Sequence, residues 1–406
     1  MQDHLLSRRR VLTLGAASLT CLFALPRTLA ARRLLGPFEE DDDDNLLVLV
    51  QLAGGNDGLS TVVPFADDAY HAARATIGID PATVLRLDDY RGLNPDLARL
   101  HAAFGRGELA IVEGCGYPRP NRSHFKAMEI WGTASEAGKA AGDGWVSRPM
   151  TTAFGADKLP TRAVHVGAQL PDVLISTDHP VLCFESPVAY RLAAGEAPLG
   201  EVLAESSAGE AGSVRSRLRA MLDDARASSA EVRAAAARYQ PSVEYPVSPL
   251  GQALQVTAAL IAARIGCRIL SVTLTGFDTH ANQRSLHQDM LRQLDGALGA
   301  FLEDVRGTER GRKVLVLVYS EFGRRVEENA SGGTDHGAAA PMFLAGLPVQ
   351  GGIYGRHPSL VELDDGDLIH TTDFRSVYGT VIRDWFGIEP SRVLRADYPA
   401  LPLLKT

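Results

Sequence analysis

The sequence predicts an α/β fold in which helices cover both faces of a mainly parallel central sheet, forming a three-layer sandwich. Three nearly unbroken apolar runs, at 45–52, 268–275 and 313–319, are each followed closely by glycine, asparagine, aspartate or glutamate. Such runs are typical of central strands that are buried on both faces. Helical segments at 248–265, 285–305 and 372–386 alternate with strands, and this alternation favours a parallel sheet.

The first thirty residues have the layout of an export signal. Arg8 and Arg9 precede an uncharged run from Val11 to Leu25, and small residues up to Ala30 offer a cleavage site. Paired arginines before a modest apolar run predict recognition by the twin-arginine translocon and a periplasmic or extracellular location. The alternative is a membrane anchor, but this run is shorter than the ~20 residues that span a bilayer. We expect no stable membrane span in the mature chain.

Charge and cysteine content exclude two classes of protein. The chain carries 41 Lys and Arg against 49 Asp and Glu, a net charge of −8, and it has no basic stripe that would indicate nucleic-acid binding. Beyond the signal only Cys115, Cys183 and Cys267 remain, which form neither a disulfide framework nor a zinc motif. Residues 31–44 end in an acidic run and are interpreted as a solvated linker.

The remaining chain, 45–406, is predicted to be a single α/β domain with an insertion at about 149–241. The insertion contains weaker strand signals at 163–166 and 173–175 and a polar helical segment at 212–239. We interpret it as a helical or cap segment facing the substrate.

Ligand-type side chains recur at the ends of the predicted strands. Asp57 follows the first strand, Asp278 and His280 follow the second, and Glu321 follows the third. Asp335 and His336 lie in the loop that enters a strand at 342–345. Each residue taken alone has a simpler interpretation than a ligand, as part of a tight turn or as a helix N-cap. Because parallel strands end at one edge of a sheet, together they predict a shared polar site. Mixed oxygen and nitrogen ligands suit zinc or another divalent first-row metal, with calcium or magnesium where only carboxylates gather.

The segment 121–125 adds a candidate nucleophile. Ser123 stands at the predicted start of a helix, where it is either an N-cap or a nucleophile activated by a metal. Arg122 is then placed to contact an oxyanion. His124 is either a metal ligand or a packing residue.

Six ordered motifs, together with Arg8 and Arg9, resemble the domain-of-unknown-function family 1501 of twin-arginine-exported bacterial proteins. The motifs occupy residues 49–64, 121–125, 276–280, 320–324, 333–337 and 372–375. That family looks like a distant branch of the alkaline phosphatase and sulfatase superfamily, so the resemblance implies an alkaline-phosphatase-like fold with metal ions at the C-terminal edge of its sheet.

The resemblance implies a nucleophile at Ser123 and metal ligands at Asp57, Asp278, His280, Glu321 and His336. The chain departs from the superfamily at Phe322, where a ligating His or Asn is usual, and it lacks the Cys-x-Pro-x-Arg sequence of sulfatases.

The resemblance and these departures lead to two alternative functions. One is a metal-dependent hydrolase of small phosphate or sulfate esters, using zinc or alternatively calcium, magnesium or manganese. The other is a non-catalytic periplasmic or cell-surface binding protein on a degenerate scaffold of the same kind.

Overall fold

The structure is a computed structural model, and it describes residues 44–136, 139, 142–150, 154, 160–190 and 227–405. The export signal, the linker as far as residue 43 and residues 212–226 of the predicted polar helix lie outside the described residues.

Strands and helices alternate along much of the chain. The strands are β1 (Leu46–Ala53), β2 (Val62–Val63), β3 (Leu85–Arg86), β4 (Gly92–Leu93), β5 (Leu109–Gly116), β6 (Ala163–Val166), β7 (Leu182–Phe184), β8 (Ile269–Thr275), β9 (Val314–Tyr319), β10 (Ala340–Ala345), β11 (Gly352–Tyr354), β12 (Leu363–Asp364), β13 (Asp367–Leu368) and β14 (Thr372–Asp373). The α-helices are α1 (Gly58–Thr61), α2 (Asp68–Ala73), α3 (Ala98–Gly105), α4 (His124–Thr133), α5 (Pro249–Ala263), α6 (Gln283–Arg306), α7 (Phe374–Thr380) and α8 (Pro390–Leu394), and residues 227–238 are also helical.

Within the described residues, nine strands form the central sheet in the order β11–β5–β10–β9–β1–β8–β6–β7, and β14 also pairs with β5. Strand β1 lies at the centre and is parallel to both β8 and β9. Strand β10 is antiparallel to both of its neighbours, β5 and β9. The prediction of a mixed α/β fold around a mainly parallel sheet is confirmed.

Both faces of the sheet are buried because side chains alternate along each strand. Val48 and Val50 of β1 belong to a core cluster that includes residues of α3, α5 and α6. Leu47 and Leu49 point to the opposite face, where a second cluster includes residues of α4, α7 and α8. Burial on both sides explains why the strands are almost continuously apolar rather than alternating.

The antiparallel direction of β10 decides which loops meet. Strands β1, β8, β9 and β5 all end at the same edge of the sheet, and β10 begins there. The loop that carries Asp335 and His336 therefore reaches this edge by entering a strand, whereas the loops around it leave strands. The start of α4, after β5, lies on the same side.

The segment at 149–241 contributes to the central sheet. Strand β6 pairs in parallel with β8, and β7 pairs with β6. The strand predicted at 173–175 is wrong, because Asp172–Leu174 form a 3-10 helix. This turn packs directly on Gly132 and Gly144, where a Cβ atom would approach the backbone of Val173 to 2.8 and 1.9 Å.

The predicted helix at 372–386 begins later than expected. Thr372 and Asp373 form β14 against the end of β5, and Asp373 caps α7 by accepting from the Arg375 N–H. A π-helical turn, Val381–Trp385, follows α7. None of the described helices combines the length and the apolar character that a membrane-spanning segment requires.

Candidate metal centre

Three imidazoles and one carboxylate converge at the C-terminal edge of the sheet. The Nε2 atoms of His280 and His336 are 3.0 Å apart, and they lie 3.1 and 3.0 Å from Oδ1 of Asp278. The Nε2 atom of His124 is 3.6 Å from Oδ2 of Asp278 and makes no hydrogen bond with any described residue. These four residues, called here the histidine cluster, come from the start of α4, the loop after β8 and the loop before β10.

Each imidazole of the histidine cluster is oriented through its other ring nitrogen. Nδ1 of His124 is 3.0 Å from Oε1 of Glu321, Nδ1 of His280 is 3.1 Å from Oδ1 of Asp335, and Nδ1 of His336 is 2.8 Å from the carbonyl oxygen of Arg122. Carboxylate and carbonyl oxygens only accept hydrogen bonds, so Nδ1 donates in each case. In the neutral imidazoles the Nε2 lone pairs then point into the cluster, where they repel one another unless a proton or a cation lies between them.

Asp278 stays ionised at the centre of this arrangement. Partial burial by itself raises its pKa, but the hydrogen bond and the positive charge of Arg324, with contributions from His336 and His280, lower the pKa to about 2. Arg324 donates from Nη2 to Oδ1 of Asp278 over 2.7 Å. The pKa of His124 shifts upward, because its imidazole is hydrogen-bonded to the carboxylate of Glu321.

Glu321, predicted as a metal ligand, contacts the cluster only through Nδ1 of His124, the ring nitrogen that faces away from the other ligands. Its side chain is buried, and Oε1 accepts from the backbone N–H of Gly54 over 2.8 Å as well as from His124. The carboxylate therefore links the loop after β1 to the imidazole at the start of α4. This is the position of a residue that orients a ligand.

Asp57 lies in a separate buried network and does not join the histidine cluster. It caps α1 through Leu59 N and Ser60 N, and Nη1 of Arg74 donates to its Oδ2 over 2.5 Å. Nε2 of Gln283 donates to the same oxygen. Burial by itself raises the pKa of Asp57, but the charge of Arg74 and its hydrogen bond lower it to about 2. Protein donors already occupy the carboxylate that the sequence predicted as a metal ligand.

The two predicted catalytic residues are placed differently. Ser123 is exposed at the N-cap position of α4, and its hydroxyl makes no capping hydrogen bond. The guanidinium of Arg122 pairs with Asp367 and Asp365, at 2.7 and 3.2 Å, and points to carboxylates on the β12–β13 hairpin. Arg122 contacts the histidine cluster through its backbone carbonyl.

Phe322 and two glycines allow the loops to approach closely. The buried Phe322 ring packs against the imidazoles of His124 and His336, with ring centroids 4.9 and 4.7 Å apart. Gly54 has a φ of +120°, and a Cβ atom there would lie 2.4 Å from the backbone nitrogen of Asp278. A Cβ atom on Gly55 would lie 2.2 Å from the Phe322 ring. The Gly-Gly pair is therefore required by packing between loops as well as by the turn.

The structure brings together three of the five predicted metal ligands, Asp278, His280 and His336, and adds His124. Sequence reasoning left His124 between two roles because a lone histidine at a helix start gives no indication of its partner. It placed Asp335 beside His336 at this edge of the sheet but did not predict that Asp335 is the partner of His280. Arg74 and Gln283, which secure Asp57, stand in no recognisable motif.

One known protein family matches part of the chain. Residues 186–381, a little under half of the chain, match the family described as "Protein of unknown function (DUF1501)". The resemblance to family 1501 is confirmed. The matched residues contain the four later motifs, at 276–280, 320–324, 333–337 and 372–375, which supply most of the histidine cluster. No curated protein matches the chain in sequence.

Several solved structures resemble the chain. A protein of the alkaline phosphatase superfamily from Vibrio parahaemolyticus is 10% identical, with a TM-score of 0.38 over 88% of this chain and 71% of that one. A putative sulfatase from Bacteroides thetaiotaomicron is 11% identical, with a TM-score of 0.35 over 88% and 72%. The alkaline phosphatase from the Antarctic bacterium TAB5 is 10% identical, with a TM-score of 0.36 over 77% and 95%. The likeness is distant and concerns the fold.

We predict that Asp57→Asn lowers the free energy of unfolding at neutral pH by about 3–5 kcal/mol, because it leaves the buried charge of Arg74 unpaired. The wild-type ion pair stabilises the fold above the unfolded carboxyl pKa near 4, and this contribution of about 2 kcal/mol is lost as the pH falls toward 2. Urea unfolding between pH 7 and pH 2.5 measures both effects.

The matched control is Asp89→Asn, which changes an exposed carboxylate and should alter stability by no more than about 0.5 kcal/mol. Equal stabilities for the two variants would contradict the role assigned to the Asp57–Arg74 pair.

Proposed function

We propose that the histidine cluster holds one divalent metal ion through the Nε2 atoms of His124, His280 and His336 and the carboxylate of Asp278. The observation that carries this proposal is that these acceptors converge while every Nδ1 already donates to a fixed oxygen. Metal-binding histidines are oriented in this way. Two ligands at the usual zinc–nitrogen distance lie about 3.3 Å apart at a tetrahedral angle. Asp278, His280 and His336 are 3.0–3.1 Å from one another, and His124 is 3.6 Å from Asp278. The ligand atoms of His124, Asp278 and His336 all lie within 4.8 Å of one another.

The chemistry of the ligand set narrows the choice of ion. Three imidazoles and one carboxylate suit zinc or another first-row transition metal, such as manganese. Calcium and magnesium prefer oxygen ligands, and Glu321 and Asp57, which would supply them, are occupied by protein donors.

We expect wild-type protein to contain about one equivalent of a transition metal, and His336→Ala and His124→Ala to contain less than about a tenth, because each removes an aimed ligand. Elemental analysis of protein purified from the periplasm measures this content. His101→Ala is the control, since His101 lies on α3 and its imidazole bonds only the carbonyl of Arg86 among the described residues. Less than about a tenth of an equivalent in wild type, unchanged by His336→Ala, would falsify the metal proposal.

We propose that this centre hydrolyses a small phosphate or sulfate ester. A divalent ion there supplies positive charge that stabilises an anionic ester and lowers the pKa of an adjacent hydroxyl group. Ser123 is the candidate nucleophile, since its hydroxyl is exposed, free of a capping bond and directly beside His124 in the chain. The N-terminus of the ten-residue helix α4 adds backbone N–H groups that favour an anion.

Neither nearby arginine is free to act as a second clamp on the ester. Arg324 is buried and donates to Asp278 and to backbone carbonyls, among them those of Gly55 and Phe277. Arg122 pairs with Asp365 and Asp367. Charge neutralisation is therefore assigned to the metal and to the start of α4.

We expect Ser123→Ala to reduce kcat for hydrolysis of an aryl phosphate or aryl sulfate by at least about a hundredfold, with metal content unchanged, because the side chain is not a ligand. Ser285→Ala is the control, since Ser285 is an exposed serine in the first turn of α6. Equal activity in wild type and Ser123→Ala would remove Ser123 from the mechanism.

A non-catalytic binding protein on the same scaffold is the second candidate. Phe322 favours it, since a phenyl ring packs beside His124 and His336 where the superfamily resemblance implies another ligand. Metal-loaded wild-type protein that hydrolyses neither aryl phosphate nor aryl sulfate would favour binding over catalysis.

We also propose that the chain is exported folded through the twin-arginine translocon, on the strength of Arg8, Arg9 and the apolar run after them. The double substitution Arg8→Lys and Arg9→Lys should leave the protein in the cytoplasmic fraction, as detected by immunoblotting of fractionated cells. Arg10→Lys, which keeps the pair, should be exported normally. Export of the double variant at the wild-type level would contradict this route.

A further inference from the structure

The β12–β13 hairpin is a tight turn that is fixed to the body of the domain. Residues 363–364 pair with 367–368, so Asp365 and Gly366 form a two-residue turn. Both have a positive φ, +51° and +84°, which is the backbone conformation that best matches the twist of a short hairpin. Leu368 is buried in a core cluster to which α1 also contributes. The carboxylates at this turn are therefore carried by a well-anchored element.

Asp367 connects two chain segments that lead to the histidine cluster. Its side chain is only 3% exposed. Oδ2 accepts from Nε of Arg122 over 2.7 Å, and Oδ1 lies 3.5 Å from Nε of Arg325. Arg122 stands two residues before His124 in the chain. The backbone N–H of Arg325 donates to the carbonyl of Asp335 over 3.0 Å. One buried carboxylate thus holds the segment before α4 against the segment that pairs with the loop before β10.

The backbone carbonyl of Arg122 selects the tautomer of His336. It accepts from Nδ1 of His336 over 2.8 Å. A neutral imidazole carries one ring proton, so a proton held on Nδ1 leaves Nε2 as the acceptor. That Nε2 lies 3.0 Å from both Asp278 and His280. If the carbonyl moved away, the proton could occupy Nε2 instead, and the imidazole could no longer bind a cation in the cluster.

The second carboxylate of the hairpin turn, Asp365, contacts the same two arginines from an exposed position. Its Oδ2 is 3.2 Å from Nη1 of Arg122 and 3.3 Å from Nη2 of Arg325, and its side chain is 78% exposed. Water screens exposed ion pairs, so their loss has little effect. Loss of one partner of a buried pair has a large effect, because the other charge stays buried without compensation. We therefore expect Asp367 and Asp365 to differ sharply in importance.

We propose that Asp367 is a positioning residue, which acts through Arg122 to hold His336 in the tautomer that binds a metal ion. The tautomer itself follows from the contacts above, whereas its consequence for metal affinity rests on the proposed function. This assignment gives Arg122 a role beside Ser123 that does not require contact with an ester. Its guanidinium binds the hairpin, and its carbonyl orients a ligand.

Imidazole NMR of ¹⁵N-labelled, metal-free full-length protein tests the positioning without requiring a metal or a reaction. At about pH 9, well above the usual imidazole range, long-range ¹H–¹⁵N spectra report which ring nitrogen carries the proton. We expect His336 to be mainly the Nδ1–H form in wild type, and the Nε2–H form to increase several-fold in Asp367→Leu. Asp365→Leu is the matched control and should resemble wild type.

His71 and His101 serve as internal reporters of the fold in the same spectra. Each bonds a backbone carbonyl remote in sequence from the cluster, that of Phe65 and that of Arg86. Their resonances should stay unchanged in every variant. Arg122→Met removes the guanidinium but keeps the carbonyl, so it breaks the same pair from the other side and should change His336 as Asp367→Leu does.

Metal affinity provides the second measurement, by competition between zinc-loaded protein and a chelator. Residues that orient metal ligands typically contribute about 10–100-fold in affinity, so we expect at least about a tenfold loss in Asp367→Leu and in Arg122→Met. The double variant should lose no more than the weaker single variant, because both substitutions remove one interaction. Asp365→Leu should stay within about twofold of wild type.

Three results would overturn the proposal. The first is an unchanged His336 tautomer in both Asp367→Leu and Arg122→Met. The second is a change in His71 and His101 as large as that in His336, which would indicate a general loss of structure. The third is an affinity loss in the double variant equal to the product of the two single losses. If His336 changes as expected but wild type binds no zinc, the positioning stands and the proposed metal site fails.

Discussion

The buried guanidinium of Arg324 ties together the loops that form the candidate site. It donates to the carbonyl oxygens of Gly54 and Gly55 after β1, of Phe277 after β8 and of Thr334 before β10, and to the carboxylate of Asp278. A guanidinium has five N–H donors in a fixed plane, so it can fix several carbonyls at once. The positions of Asp278, His280 and His336 all depend on loops that this one side chain connects.

A second buried hydrogen-bond network, centred on Asp57, connects two of the loops that Arg324 also contacts. Asp57 is held by Arg74, and Gln283 joins Asp57 to the hydroxyls of Thr279 and Thr334. These threonines lie one residue from Asp278 or Asp335, so the network reaches the backbone on both sides of the histidine cluster. Fully satisfied buried polar networks of this kind rigidify a site, and rigid ligands are what a metal or a reacting ester requires.

Carboxylates near the cluster therefore divide into two groups with different roles. Asp278 faces the imidazoles directly, while Glu321 and Asp335 each fix the orientation of one imidazole from behind. Residue type alone does not separate a ligand from a residue that supports a ligand, because both need a charged oxygen. What separates them is the direction in which each oxygen points.

The sequence by itself determined the strand and helix alternation, the mainly parallel sheet and the edge at which polar residues gather, because apolar periodicity and strand-end residues are local features. It also singled out Asp278, His280 and His336. Only the tertiary structure decided that His124 joins them, that Glu321 supports an imidazole and that Asp57 pairs with Arg74. Those assignments depend on distances between loops separated by about two hundred residues or, for Arg74, on a side chain in no motif. The antiparallel direction of β10 and the packing of Gly54, Gly55 and Phe322 bring the loop that carries His336 next to these residues.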